Sequence, residues 1–336
     1  MKIGLTLGKF APLHRGHQLV IETALREVDH LIVLIYDSPD VETLPLPVRT
    51  RWISEIYPSV EVIEAWDGPT ETGLDPEITQ KHDRYLKRIL AHRNITHFFS
   101  SEDYGEHVCL ALGAINRPCD LARESVPVSG TVIRSNPFAF RNQLASCVYR
   151  DHVTKVVFLG APSTGKTTLA SSLAKLYDTS WMPEYGREYW QENQVDRRLS
   201  LSQLVEIAVG HRQREEALLL NANRYLFVDT DASTTLQFSL YYHGTAAEEL
   251  IRLSEEARIR YDLFFLCSPD IPHDDTWDRS GDVSRQEMHR RIEADLMSRK
   301  ISFVRLTGSV EKRILDVSNV LRVHNLFQVG KLPGTD

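Results

Sequence analysis

Residues 153–160 read VTKVVFLG, and residues 160–168 read GAPSTGKTT. The first stretch is apolar and β-branched, as a buried strand requires. The second fits G-x4-G-K-[ST] over Gly160, Gly165, Lys166 and Thr167. A helix is read from Lys166 to Tyr177. Strand, glycine-rich turn and helix together make a phosphate cradle. Glycine lets the backbone N–H groups converge, and the helix N-terminus adds partial positive charge. Lys166 is expected to reach the β- and γ-phosphates of ATP or GTP, and Thr167 to ligate Mg²⁺. Gly160, Ser163, Thr164, Gly165 and Thr168 complete the expected contacts.

Strands are also read at RYLFVD (224–229), YDLFFLC (261–267) and ISFVRL (301–306), with a long helix over SQLVEIAVGHRQREEALLLN and a last helix from Val310. Asp229 at a strand tip is a candidate Mg²⁺ holder. The alternative is a cap for the following helix, with Ser233 and Thr234 competing for that place. Asp231 lies two residues on, a candidate substrate contact. PEYGREYW (183–190) supplies Glu184, which could accept a proton from a sugar hydroxyl, and Arg187, which could hold it or a phosphate; a solvated pair is the alternative. HDDTWDRSGDVSR (273–285) reads as a lid carrying Arg279 and Arg285, or as a solvated loop. Asp274 and Asp275 within it bind substrate hydroxyls or solvate the loop.

The first half repeats the βα alternation. KIGLTLG (2–8), HLIVLIY, VEVIEA and THFFSS (96–101) read as strands, with helices over about 16–29 and over PEITQKHDRYLKRILAHR. Short strands alternating with amphipathic helices imply parallel sheets covered on both faces. The expected fold is α/β, with two doubly wound domains. A Rossmann-like domain spans 1–150, a P-loop NTPase-type domain 151–325, and a flexible tail 326–336.

At 336 residues, two domains is the natural reading. Lys plus Arg number 39 and Asp plus Glu 46, a net charge of −7, which argues against nucleic-acid binding. The cysteines Cys109, Cys119, Cys147 and Cys267 have neither zinc nor disulfide spacing, which fits a reducing compartment. Met1 leads at once into a strand, and the apolar runs are strand-sized, so a cytoplasmic protein with no membrane span is expected.

GKFAPLHRGH (8–17) sits behind the first strand. His14 and His17 share the face at the head of a helix. No third ligand for a metal is near in sequence, and no acid orients a nucleophile there. Two imidazole N–H donors, Lys9 and a helix N-terminus point instead to anion stabilisation.

The string G-K-F-x-P-x-H-x-G-H resembles the HxGH nucleotidylyltransferase superfamily. Ser129-Gly-Thr131-Val-Ile-Arg134 matches its second motif, S-x-T-x-x-R. The resemblance implies that His14 and His17, with Gly8, Lys9 and Phe10 shaping the turn, stabilise the α-phosphate of ATP during in-line attack. Ser129, Thr131 and Arg134 would grip the β- and γ-phosphates.

HxGH unit, then P-loop unit with PEYGRE, VDTD and a DD…R lid, is similar over about 2–322 to the NadR-type fusion of nicotinamide-nucleotide adenylyltransferase with ribosylnicotinamide kinase. The resemblance implies phosphorylation of nicotinamide riboside to nicotinamide mononucleotide (NMN), then adenylylation of NMN to NAD, with Mg²⁺ in both. Some members carry an N-terminal DNA-binding helix-turn-helix. This sequence shows none, so no nucleic-acid partner is expected, and self-association into a homo-oligomer stays open. Trp66, Trp181, Trp190 and Trp277 are stacking candidates or packing residues. Arg51 is a lower-ranked phosphate contact. The alternatives are a coenzyme A pathway adenylyltransferase–kinase fusion and a nucleotide sensor with one inactive half.

Overall fold

The computed structural model describes residues 1–38, 44–71, 73, 75–195, 198–271 and 285–328, with side chains described up to residue 325. Its contacts divide the chain into two compact units, Met1–Tyr149 and Arg150–Leu326.

The first unit holds strands β1 (Ile3–Gly8), β2 (His30–Tyr36), β3 (Glu61–Ala65), β4 (His97–Ser100) and β5 (Ile115–Pro118). Its helices are α1 (Arg15–Glu27), α2 (Leu46–Ile56), α3 (Pro76–Ile89), α4 (Gly105–Leu112) and α5 (Gly130–Ser135). Helix α6 (Ser146–His152) spans the division. The sheet runs β3-β2-β1-β4-β5 and its pairs are all parallel. Strand β2 explains why: Leu31 to Tyr36 are buried without alternation, as a strand covered on both faces must be. On one face Leu5, Leu34 and Phe98 pack against Tyr85 and Leu86 of α3. Each such side chain contributes roughly 1.5–3 kcal/mol by leaving water. The strand order reverses between β1 and β4, so a crevice opens at their carboxyl ends.

The second unit holds β6 (Thr154–Leu159), β7 (Trp181–Met182), β8 (Tyr225–Asp229), β9 (Leu263–Cys267) and β10 (Val304–Leu306), ordered β10-β9-β6-β8-β7 and again parallel. Its helices are α7 (Lys166–Leu176), α8 (Tyr185–Asn193), α9 (Leu201–Leu219), α10 (Ala232–His243), α11 (Glu248–Arg260), α12 (Arg285–Ser298) and α13 (Val310–Gln328). Phe158, Phe227 and Phe265 from three adjacent strands stack beneath Leu169 and Leu173 of α7. Register places Asp229 beside Phe158, at the same sheet edge as the turn after β6.

The α/β parallel architecture expected from the sequence is present in both units. Two details differ. Strands β5 and β7 were not anticipated: β5 is a polar edge strand ending in proline, and β7 has two residues. Strand β10 starts at Val304, not Ile301. Ile301 is spent on ending α12: its N–H reaches the Leu296 carbonyl, while Lys300 turns left-handed at φ 56 and bonds Met297. Helix α13 starts at Val310, where the sequence places it, and runs to Gln328; residues 329–336 lie outside the described residues.

Candidate active sites

In the first unit, the turn after β1 brings the histidine pair to the head of α1. His14 is the N-cap, extended at φ −121, and its Nδ1 accepts the Gly16 N–H at 3.1 Å. His17 Nδ1 accepts the His14 N–H at 3.4 Å. The imidazoles thus form a reciprocal capping box, a role usually taken by Ser or Thr with Glu or Gln. With Nδ1 accepting in each ring, the proton sits on Nε2. The rings stack at 3.8 Å between centroids and 23° between planes. Phe10, buried and held at φ 45, packs on His17 at 4.9 Å.

Burial, and then Arg123 and Arg134, push His14 down to about 4. His17 is pushed well below its ordinary range by burial first and His14 next, against a smaller opposing pull from the Pro12 carbonyl. Both are therefore neutral donors at pH 7.

The second motif meets the first. Ser129 caps α5, its Oγ accepting the Val132 N–H at 3.3 Å. Arg134 donates to the Ala11 carbonyl at 2.5 Å and to Thr131 Oγ1 at 3.0 Å. A Cβ on Gly130 would stand 3.0 Å from Arg134 Nη1 and 3.4 Å from the Ala11 carbonyl, so glycine leaves room for the guanidinium to lie against the turn. One cleft is lined by His14, His17, Ser129 and Gly130 together with Arg123.

Sequence reasoning missed Arg49. It is 1% exposed and donates to the carbonyls of Lys9 (2.5 Å), Tyr36 (3.0 Å) and Leu44 (3.2 Å). A signal existed: Leu46, Arg49 and Ile53 form the buried stripe of α2, and a cation there needs partners. Arg51 stands exposed on α2, 3.6 Å from Glu55. Trp66, after β3, is 57% exposed and donates to Glu64 at 2.8 Å.

In the second unit, Gly160 lies at φ 141, where a Cβ would meet the Cys267 carbonyl at 2.6 Å; only glycine fits. Ser163 (φ 58) and Gly165 (φ 79) complete the turn. Lys166 Nζ bonds the carbonyls of Gly160 and Ala161, both at 3.0 Å. Thr167 Oγ1 donates to Asp229 Oδ2 at 2.5 Å, while Thr168 is exposed.

Asp229 is fully buried, and its Oδ1 has no hydrogen-bond partner. Burial raises its carboxyl to about 6; Lys166 opposes the rise, and Glu184 adds to it. Glu184 and Arg187 lie 3.5 Å apart and both act on Asp229. A hard cation seeks an orphaned carboxylate oxygen beside a hydroxyl, so the donor set fits Mg²⁺ completed by phosphate oxygens. Among the described residues no group of three or more His, Cys, Asp or Glu could hold an ion by itself.

Asp231, not Asp229, caps α10: its Oδ1 accepts Ser233 N–H and Oγ and the Thr234 N–H. Only its buried Oδ2 is left without a partner. Arg285 begins α12 and donates to the carbonyls of Ser163 (2.7 Å) and Ile271 (2.9 Å). Arg313, which sequence reasoning also missed, is 1% exposed and donates to the carbonyls of Thr164 (2.6 Å), Gly308 (3.0 Å) and Ser268 (3.1 Å) and to the Asp270 carboxylate. Arg279, Asp274, Asp275 and Trp277 lie outside the described residues.

Fold and turns define a nucleotidyltransferase-like unit followed by a P-loop unit. Residues 5–136 match the cytidylyltransferase-like family, and residues 155–313 match an AAA domain. The trifunctional NAD biosynthesis/regulator protein NadR of Escherichia coli (strain K12) is 30% identical over 328 residues, covering 90% of this chain and 78% of that protein. A crystal structure of NadR protein in complex with NAD and AMP-PNP has a TM-score of 0.59 at 22% identity, covering 100% of this chain and 98% of its own. A second, in complex with NR, has a TM-score of 0.59 at 23% identity, covering 98% and 96%. This chain belongs to the NadR family.

Proposed function

We propose that this chain is a bifunctional NAD salvage enzyme, phosphorylating nicotinamide riboside to NMN and joining NMN to the AMP moiety of ATP to give NAD and pyrophosphate. The observation that carries it is the presence of two intact phosphate turns in one chain of this family: a neutral, stacked imidazole pair in one unit, and a lysine cradle facing a buried, half-satisfied aspartate in the other.

In the second unit the γ-phosphate passes to the 5′-hydroxyl of the riboside. Glu184 takes the hydroxyl proton, and Lys166 with the N–H groups of 160–167 holds the transferring phosphate. Thr167 and Asp229 would hold Mg²⁺, which supplies positive charge between the phosphates. Arg187, Asp231, Arg279, Arg285 and the Asp274–Asp275 pair are the further contacts of this reading.

In the first unit a phosphate oxygen of NMN attacks the α-phosphorus of ATP, and the bond to the leaving pyrophosphate breaks. The Nε2–H groups of His14 and His17 stabilise the charge that builds there. Ser129, Thr131 and Arg134 bind the leaving phosphates, and Trp66 is a stacking surface for the pyridinium.

We place the protein in the cytoplasm and without a nucleic-acid partner. The net charge of −7, four free cysteines and the lack, among the described residues, of any helix long and apolar enough to cross a membrane support this.

ATP labelled at the α-phosphate should leave label in a dinucleotide when NMN is supplied, and ATP labelled at γ should label nicotinamide riboside. His17→Ala should abolish the first and spare the second; Lys166→Ala should do the reverse. Labelled phosphopantetheine would transfer the protein to coenzyme A chemistry, and ATP binding without product would make it a sensor.

A further inference from the structure

The cleft of the first unit holds a cation that neither motif includes. Arg123 lines it beside His14, His17 and Ser129. Its guanidinium donates to the Glu102 carboxylate at 3.0 Å, with side chains 42% and 53% exposed. An ion pair this open to water is a weak hold.

The backbone beneath it is constrained. The Asp120 carboxylate accepts the N–H groups of Ser125 and Val126, both at 3.0 Å, and the Asp120 carbonyl accepts the Arg123 N–H at 2.8 Å. Asp120 and Arg123 both turn left-handed, at φ 49 and φ 54. A residue with a Cβ adopts that conformation when its surroundings impose it. The closed turn keeps the arginine at the mouth of the histidine site. Its charge is felt by both imidazoles.

We propose that Arg123 is a further triphosphate-binding residue of the adenylyltransferase site, released from Glu102 to grip the phosphates that leave as pyrophosphate. The inference rests on the adenylyltransferase reading of this unit. A guanidinium suits the role because it can donate two parallel hydrogen bonds to phosphate oxygens. Glu102 parks the side chain while ATP is absent, and its negative charge opposes the incoming triphosphate.

The test is the KM for ATP in dinucleotide formation at saturating NMN. Arg123→Gln should raise it on the order of tenfold, the size of one charge-assisted hydrogen bond. Arg123→Lys should recover part of the loss. Glu102→Gln, which breaks the same ion pair, should lower KM by about twofold or more by removing the competitor. A KM for Arg123→Gln within about twofold of the parent overturns the proposal. So does a rise in Glu102→Gln as large as that in Arg123→Gln, which would make the pair a strut. His17→Ala, assayed alongside, separates the two levels. If it still makes dinucleotide, the reading of the site fails; if it is dead while Arg123→Gln behaves as the parent, only the role of Arg123 fails.

Discussion

Arg313→Met would show how much of the P-loop depends on a single side chain behind it. The guanidinium is 1% exposed, and the carbonyl-bearing Thr164 and Ser268 are 0% and 7% exposed. Methionine fills similar space but donates nothing. Each buried acceptor left unmatched costs about 1–3 kcal/mol. The Gly308 carbonyl and the Asp270 carboxylate, whose side chain is 37% exposed, can recover water and add less. The sum is roughly 3–5 kcal/mol, the range for breaking one side of a buried pair.

Calorimetry should then show the transition of the second unit falling on the order of 10 °C, with the first unit unmoved. Asp270 supplies a second readout. Burial alone would raise its carboxyl; the Gly308 N–H and Arg313 more than offset this and hold it below the ordinary range. A depressed carboxylate stabilises the fold above its unfolded pKa and loses that contribution as pH falls through the folded value. The acid limb should therefore be shallower in Arg313→Met. The KM for ATP at the kinase site should rise, with dinucleotide formation unchanged. A melting transition within about 2 °C of the parent, with an unchanged kinase KM, would refute the view that this arginine holds the loop.

Two more outcomes follow from geometry already described. Gly160→Ala forces a Cβ to 2.6 Å from the Cys267 carbonyl at φ 141, so kinase activity should be lost and the second unit destabilised by roughly 2–4 kcal/mol in urea denaturation, with the first unit spared. His14 is neutral in the folded chain down to about 4 against an ordinary 6.5, so the unfolded chain binds an extra proton between those values and stability falls as pH drops. His14→Gln should flatten that slope by about 1.4 kcal/mol per pH unit; an unchanged slope would contradict the burial assigned to this ring.

Parallel sheets were legible because β2 from Leu31, β6 from Val156 and the whole of β9 are apolar runs bounded by turns, and the helices between them carry apolar stripes. Strand β5 left no such trace, since INRP at an edge needs neither apolar residues nor a full ladder. The two phosphate turns were legible for the same reason that they are local: a strand, a turn and a helix head lie within about 16 contiguous residues. What supports them comes from far along the chain. Arg123 and Arg313 resemble surface arginines in the sequence, and the apolar stripe around Arg49 marks burial without naming its partners; tertiary structure supplies the carbonyls or the cleft. The sequence offered Asp229, Ser233 and Thr234 as caps for the helix that follows, and gave no sign that Asp231 takes that place. Pairing beside Phe158 keeps Asp229 in the strand, and the extended backbone of Asp231 at φ −151 makes it the cap.

Arg49 in one unit and Arg313 in the other hold the outward-facing carbonyls of a phosphate turn from behind. Neither turn is therefore a portable cassette. Grafting residues 8–17 or 160–168 onto another sheet would move the amides but leave the scaffold that aims them behind. A designer would have to transplant the arginine and the helix that carries it as well.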